Sequence, residues 1–403
     1  MLKIFFRNFS WNFLGSSIYS LTQWVLILII TKIGGPKDVG IYSLGLAISS
    51  PLIMLINLNF RALQSTSLSL EFGFNGFKRI RKTGILFFLF IYTIILSILK
   101  YDFEITITLL IIAFCKMIES YSELFFGLFQ YNERLDLEGK SNIFRGVIGT
   151  LGFGIVYYFF EILSVALLFM LFVWLLNLLF INYKLSKKFI KNSQKHIDWI
   201  KLLTLVKIGL PLGIISFLAS LNVNIPRIVY ESYLTLEDLG YFTPIFYLVL
   251  IIGKFMTSIS NTVLPRLARL YENNKKDSFI KIFKFIIALL LIFSTLIILV
   301  SCFFGSELLF FIYGEEYSNL NVLLVLIMIY GLFNYLGSLF ETGLNAMKAY
   351  KFRLYIEIFI TIAIIIGSIY FIPIYGLNGG AIALIISAIA KSFLLFILFI
   401  KRF

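Results

Sequence analysis

One histidine and two cysteines in 403 residues remove most catalytic chemistry before any motif is sought. A Ser–His–Asp set cannot form around a single histidine, His196, that stands in a basic loop, and no cluster of His and Cys has zinc-ligand spacing. Cys115 and Cys302 both fall inside apolar runs, which argues against a disulfide framework. There is no P-loop lysine motif, so ATP hydrolysis by this chain is not expected. Charge is scarce at 14% of residues, against about 25% in a soluble domain. Acid is scarcer still, with 21 Asp and Glu against 35 Lys and Arg. A signal peptide is missing too: the first apolar run is long and has no small-residue cleavage site, so it reads as a first membrane span.

What remains is apolar length. The chain is 60% hydrophobic, its mean hydropathy is +0.95, and runs of about 20 apolar residues, each enough to cross a bilayer, follow one another throughout. The expected fold is an all-α polytopic membrane protein of about twelve helices. They are read at 11–33, 39–62, 84–100, 105–128, 142–160, 162–183, 203–233, 239–262, 282–304, 319–341, 354–373 and 377–400.

The connecting segments alternate in charge. One side receives Lys3 and Arg7, then Lys78, Arg79, Arg81 and Lys82, then Lys184 to Lys201, Arg266 to Lys281, Lys348 to Arg353, and Lys401 and Arg402. The other holds Asp38, Asp102, Glu104, Glu237, Asp238, Glu307, Glu315 and Glu316, with few cations. Basic segments are retained in the cytoplasm, so both termini are expected there and the number of spans is even. The formal net charge of +14 is then mainly a topology signal, with attraction to anionic headgroups second, and nucleic acid is not an expected partner. The outer loops are all short, too short to house the chemistry of a membrane polymerase or glycosyltransferase.

Two segments echo one another. KDVGIYS, from Lys37 to Ser43, opens the second helix, and EDLGYFT, from Glu237 to Thr243, opens the eighth. At the same offset Ser16 meets Ser216, Ser20 meets Ser220, and Asn57 and Arg61 meet Thr257 and Asn261. The reading is two six-helix lobes, 1–183 and 202–403, joined by a basic amphipathic linker at 184–201. Six is even, so both lobes enter the membrane in the same direction. A pseudo-two-fold axis along the membrane normal is therefore expected, with the substrate path between the lobes.

Polar stripes mark that path. Helix 1 carries Asn12, Ser16, Ser20 and Gln23 on one face, and helix 2 carries Ser50, Asn57, Arg61 and Gln64. Helix 7 carries Ser216, Ser220, Asn224, Arg227 and Glu231, and helix 8 carries Lys254, Ser258 and Asn261. A charge near the bilayer centre costs roughly 2.5–3.5 kcal/mol or more, so such faces turn toward protein or water. The serines suit helix–helix hydrogen bonding as well as a cavity, and Arg61 stands near enough to a helix end to snorkel. Five of the seven prolines, Pro51, Pro211, Pro226, Pro244 and Pro265, fall in helices 2, 7 and 8, where kinks suit a bending transporter. Helix 4 holds Lys116, Glu119 and Glu123 at spacings that share a face, so Lys116 can pair with Glu119. Packing pair and proton-exchanging carboxylate are the two readings for Glu119. The same two stay open for Glu123 and Glu341. Gly146, Gly149, Gly152 and Gly154 read as a close-packing face of helix 5.

The segments FRNFSWNFLGSSIY, GGPKDVGIYSLG, VNIPRIVYESYLTLEDLGYF and FIPIYGLNGGAIALIISAI resemble the oligosaccharide flippases. These are the O-antigen and polysaccharide transporters of the multidrug/oligosaccharidyl-lipid/polysaccharide exporter superfamily, and the resemblance spans nearly the whole chain. It implies lobes that open alternately inward and outward in a bacterial cytoplasmic membrane. The implied cargo is an undecaprenyl-diphosphate-linked oligosaccharide. Arg61, Arg227 and Lys254 would meet the diphosphate, and Asn57, Asn224, Gln23 and Asn261 the sugars. Glu119, Glu123, Glu231 and Glu341 are the candidates for proton or sodium coupling. No cofactor, metal or enzymatic activity is implied; partners would be membrane lipids and other glycan-assembly proteins. Relatives often carry Asp before the helix 7 arginine where this chain has Pro226, which leaves Glu231 as the nearby acid.

Three other readings compete. A multidrug and toxic-compound extrusion antiporter would want acids in its cavities, yet helix 1 has none. A lipid II flippase usually has fourteen spans, and a membrane-embedded glycan polymerase or ligase needs outer loops that this chain lacks.

Overall fold

The computed structural model describes residues 2–65, 68–190, 198–347 and 352–403, with the backbone alone for 2–9, 68–70, 255, 257, 258, 261 and 262. Among them the chain is helical from end to end: α1 (Leu2–Asn57), α2 (Phe60–Gln64), α3 (Leu68–Leu99), α4 (Phe103–Tyr131), α5 (Leu135–Phe160), α6 (Leu163–Leu176), α7 (Lys184–Ser186), α8 (Trp199–Tyr233), α9 (Leu236–Glu272), α10 (Lys276–Tyr313), α11 (Asn321–Ala346), α12 (Arg353–Tyr375) and α13 (Leu377–Arg402). A π-helical stretch, Asn177–Tyr183, joins α6 to α7, and a 3-10 turn, Glu315–Leu320, precedes α11.

Ten helical segments among the described residues are long and apolar enough to cross a membrane. The first, Ser10–Gln64, contains two spans, because α1 bends at Gly35 (φ 71) just before Pro36. The 29-residue α4 also has the length of a span and carries Lys116, Glu119 and Glu123. With these two counted the spans are twelve, in the predicted order. This is a multi-pass, all-α membrane protein. Its large apolar side chains face outward freely, Phe311 being 85% and Phe103 81% exposed. That arrangement is stable only where lipid replaces water.

The chain divides into two compact units, Met1–Asn224 and Ile225–Phe403. In the first, α1 runs along α5 at very close range: a Cβ on Gly15 or Gly139 would fall inside the van der Waals envelope of the facing backbone. The glycines of α5 pack as predicted. Those at 146 and 149 lie against Tyr19, Thr22 and Trp174, and those at 152 and 154 against Phe169 and Ile29. Below this contact a phenylalanine core (Phe60, Phe72, Phe77, Phe125, Phe126 and Phe129) closes around α2. In the second unit Phe283 stacks on Phe399 at 4.6 Å and 13°, with Phe279, Phe340 and Phe403 around them.

Three boundaries differ from expectation, and each moves a charged residue. α1 ends at Asn57 because Leu58 and Asn59 both take φ near 50. Ser50 and Asn57 therefore do not share one continuous helix with Arg61 and Gln64, which belong to α2. α3 begins at Leu68 rather than 84, so Arg81 is a helical residue, 1% exposed, and not a loop cation. α5 begins at Leu135 rather than 142, which brings Glu138 into the helix. The middle of the expected linker, 191–197, lies outside the described residues, and His196 is within it.

Candidate functional site

In the first unit the broken end of α1 delivers Arg61 into a set of carboxylates. Its Nη2 lies 2.8 Å from Glu138 Oε2 and its Nη1 3.2 Å from Glu123 Oε2, while Nε donates to Gln130 Oε1 at 3.1 Å. α2 is thereby tied to both α4 and α5. One turn along α4, Lys116 Nζ donates to Glu119 Oε2 at 2.9 Å, the pairing that the spacing predicted. Tyr19 of α1 donates to the other oxygen of Glu119 at 2.8 Å.

Two further arginines complete the cluster, and both are buried. Arg145 (2% exposed) lies 3.8 Å from Glu119 and donates to Asn142 Oδ1 at 3.2 Å. Its guanidinium rests over Tyr19 at 4.2 Å and Trp174 at 5.1 Å. Nε and Nη1 of this arginine have no hydrogen-bond acceptor among the described residues. Arg81 donates to Ser120 Oγ at 3.0 Å and lies over Phe60 at 5.8 Å; Ser120 in turn donates to Asn57 Oδ1 at 2.5 Å. A guanidinium tolerates such sites because it is weakly hydrated and stacks on aromatic faces.

The four cations Arg61, Arg81, Lys116 and Arg145 thus face the three carboxylates Glu119, Glu123 and Glu138, a surplus of one positive charge when all are ionised. Burying charges is tolerable only if they are paired and hydrogen-bonded. Here every carboxylate has a cation within 4 Å. Chemically the cluster can hold an anionic group against the surplus cation, or exchange one internal partner for it.

The remaining predicted residues are dispersed. Gln23 is half-buried, its Nε2 without an acceptor among the described residues. Asn224 is buried and donates to the Ser220 carbonyl at 2.8 Å, and Ser20 donates to the Ser16 carbonyl at 2.9 Å, so both stripes are partly satisfied within their own helices. In the second unit Arg227 is buried (3% exposed) with its guanidinium over Phe246 at 5.0 Å and Tyr247 at 5.8 Å. Glu231 is half-buried and Lys254 exposed, while the side chain of Asn261 lies outside the described residues. Glu341 pairs with Arg353 at 2.6 Å, fastening α11 to α12. A second internal pair, Lys391 with the buried Glu357 at 2.6 Å, fastens α12 to α13.

Sequence reasoning missed Arg81, Arg145, Glu138 and the Glu357–Lys391 pair. The signal for the α5 residues was present. Glu138, Asn142 and Arg145 are spaced four and three apart, one face of a helix, but a run of polar residues disguised the helix start. Among the described residues no group of three His, Cys, Asp or Glu side chains is gathered as a metal would require.

Comparison with known proteins adds three findings. A family described as "Polysaccharide biosynthesis protein" matches residues 5–271. The chain is 30% identical over 383 residues to the capsular polysaccharide biosynthesis protein CapF of Staphylococcus aureus, a likeness covering 94% of this chain and 96% of the relative. Two solved structures share the fold. One is an inward-facing multidrug resistance MATE family transporter of the MOP superfamily (TM-score 0.74, 13% identity, covering 97% of this chain and 98% of that one). The other is the lipid II flippase MurJ in an inward closed conformation (TM-score 0.71, 17% identity, covering 98% and 87%).

Proposed function

The chain belongs to the polysaccharide biosynthesis protein family, and on that premise we propose that it is a flippase for undecaprenyl-diphosphate-linked oligosaccharide, a capsule or O-antigen repeat unit. The observation that carries this reading is the likeness to a capsular polysaccharide biosynthesis protein over nearly the full length of both chains. The fold supports it, since MurJ, a lipid II flippase, shares that fold. So does the cationic surplus of the first unit, which suits a diphosphate better than an organic cation.

In this reading the chain is a transporter rather than an enzyme. It sits in the bacterial cytoplasmic membrane with both termini inside and works by alternating access between lobes 1–183 and 202–403. The exposed Lys254 and the aromatic-backed Arg227 engage the diphosphate. Arg61 does so only by exchanging Glu123 or Glu138 for phosphate, because all three of its nitrogens are engaged. Asn57, Asn224, Gln23 and Asn261 serve the sugars. Coupling to a proton or sodium gradient would draw on Glu119, Glu123, Glu231 or Glu341. Of these, Glu341 is paired with Arg353 at 2.6 Å.

The test is where the lipid-linked repeat unit accumulates. Bacteria depleted of this chain should gather undecaprenyl-diphosphate oligosaccharide on the cytoplasmic face, out of reach of an added glycosidase, and re-expression should restore access. Normal access in depleted cells would refute the flippase. Increased sensitivity to cationic dyes in its place would favour an antiporter.

A further inference from the structure

Outside the charged cluster, the first unit carries a groove of about 360 Å³ lined by Lys82, Ile85 and Leu86 of α3, Met117, Ile118 and Tyr121 of α4, and Leu178 of the π-helical stretch. Five of these seven side chains are wholly apolar. The two polar groups are an ammonium and a phenol. We infer that this groove is a site for an anionic phospholipid, which lays an acyl chain along the apolar floor and sets its phosphate against Lys82. This inference depends only on the chain being a membrane protein, not on what it transports.

Three observations support that occupant. The first is polarity along α3. Lys78, Arg79 and Lys82 stand at one end, and the residues from Thr83 to Leu99 carry no charge. Lys82 therefore sits at headgroup level while Ile85 and Leu86, a turn further on, lie at the depth of the chains. The second is access. Leu86 is 67% exposed and its neighbours Phe87 and Phe90 are exposed too, so the groove opens sideways into lipid. The third is the rim. Tyr121 leads by edge contacts through Phe125 (5.8 Å) to Tyr183 (6.5 Å), and Lys187 Nζ rests over the Tyr183 ring at 5.0 Å. Tyrosines and a second lysine at one level form the belt expected at a membrane interface, and cations there attract anionic lipid. A glycan-bearing lipid would need groups for sugar hydroxyls beside the phosphate, and the lining offers only one phenol.

The site adjoins the charged cluster through α4. Met117, Ile118 and Tyr121 alternate in sequence with Lys116, Glu119 and Ser120, so a lipid in the groove would press on the helix that holds Glu119 and Glu123.

The experiment is native mass spectrometry of the detergent-purified full chain with added phosphatidylglycerol, phosphatidylcholine or undecaprenyl phosphate. The wild type should retain one phosphatidylglycerol in preference to phosphatidylcholine. Lys82→Glu should reduce that retention by about fivefold or more, since loss of one lysine near an anionic surface contributes that factor before the added carboxylate repels the phosphate. Ile118→Trp, which fills the floor, should reduce it with the charge intact. Lys188→Glu, an exposed cation outside the groove, should leave it unchanged. Equal retention in Lys82→Glu and wild type, or no preference for phosphatidylglycerol, overturns the site. Preferential retention of undecaprenyl phosphate overturns the occupant.

Discussion

Replacing Arg61 by alanine should destabilise the first unit through Glu138 more than through Arg61 itself. The Glu138 side chain is 3% exposed and the Arg61 side chain 31%, with 2.8 Å between them. Removing one partner of a fully buried pair costs about 3–5 kcal/mol, whereas an exposed pair contributes under about 1. This half-exposed case belongs at the lower edge of the buried range, about 3 kcal/mol. Glu138→Gln alone keeps an oxygen acceptor for the guanidinium and should cost about 1.5 kcal/mol, the difference between a charged and a neutral hydrogen bond. In the double variant Glu138 is no longer stranded as a charge, so the two costs should not add. The expected coupling is about 2 kcal/mol, within the usual range for contacting residues. Unfolding by sodium dodecyl sulfate in mixed micelles, followed by circular dichroism, measures all four corners. Additivity within about 0.5 kcal/mol would mean that Glu138 does not hold Arg61, and the cluster would cease to be a unit.

The same unfolding measurement checks three further changes. Gly139→Ala should cost about 1–3 kcal/mol, because the new methyl meets the Trp11 carbonyl across the α1–α5 contact. Lys391→Met removes the ammonium beside the 1%-exposed Glu357 and should cost about 3 kcal/mol or more. Adding Glu357→Leu should recover much of that loss. Arg145→Lys keeps the charge but loses the planar stack between Tyr19 and Trp174, a change worth about 1 kcal/mol. A result at wild-type stability would show that the stack is dispensable.

Much of the fold was legible because bilayer crossing demands long apolar runs, and the twelve spans follow from that requirement alone. Each of the two echoing segments opens a helical stretch, one after the bend at Gly35 and one at the start of α9, but their acids do different work. Asp38 accepts a hydrogen bond from Tyr157, whereas Asp238 caps its own helix in a box with Thr235. Shared position was readable and shared chemistry was not.

The site was half legible. Lys116–Glu119 is a local pair and spacing found it. Arg61–Glu138 spans 77 residues and depends on a helix break at Leu58–Asn59 that neither glycine nor proline announces. Arg81 shows the opposite failure. Standing among Lys78, Arg79 and Lys82 it read as a topology signal, and burial against Phe60 and Ser120 gives it another role. The aromatic bed of Arg227 comes from α9, so no pattern within α8 could reveal it.

The most direct measurement of the central claim is reconstitution. Purified chain in proteoliposomes would be supplied with a fluorescent undecaprenyl-diphosphate oligosaccharide, and its arrival in the far leaflet followed by a membrane-impermeant quencher. The account predicts flipping by the wild type and a loss of about tenfold or more in Lys254→Ala, the factor of one charged hydrogen bond, at an exposed side chain. Export of a cationic dye under a proton or sodium gradient, with no movement of the lipid, would contradict it.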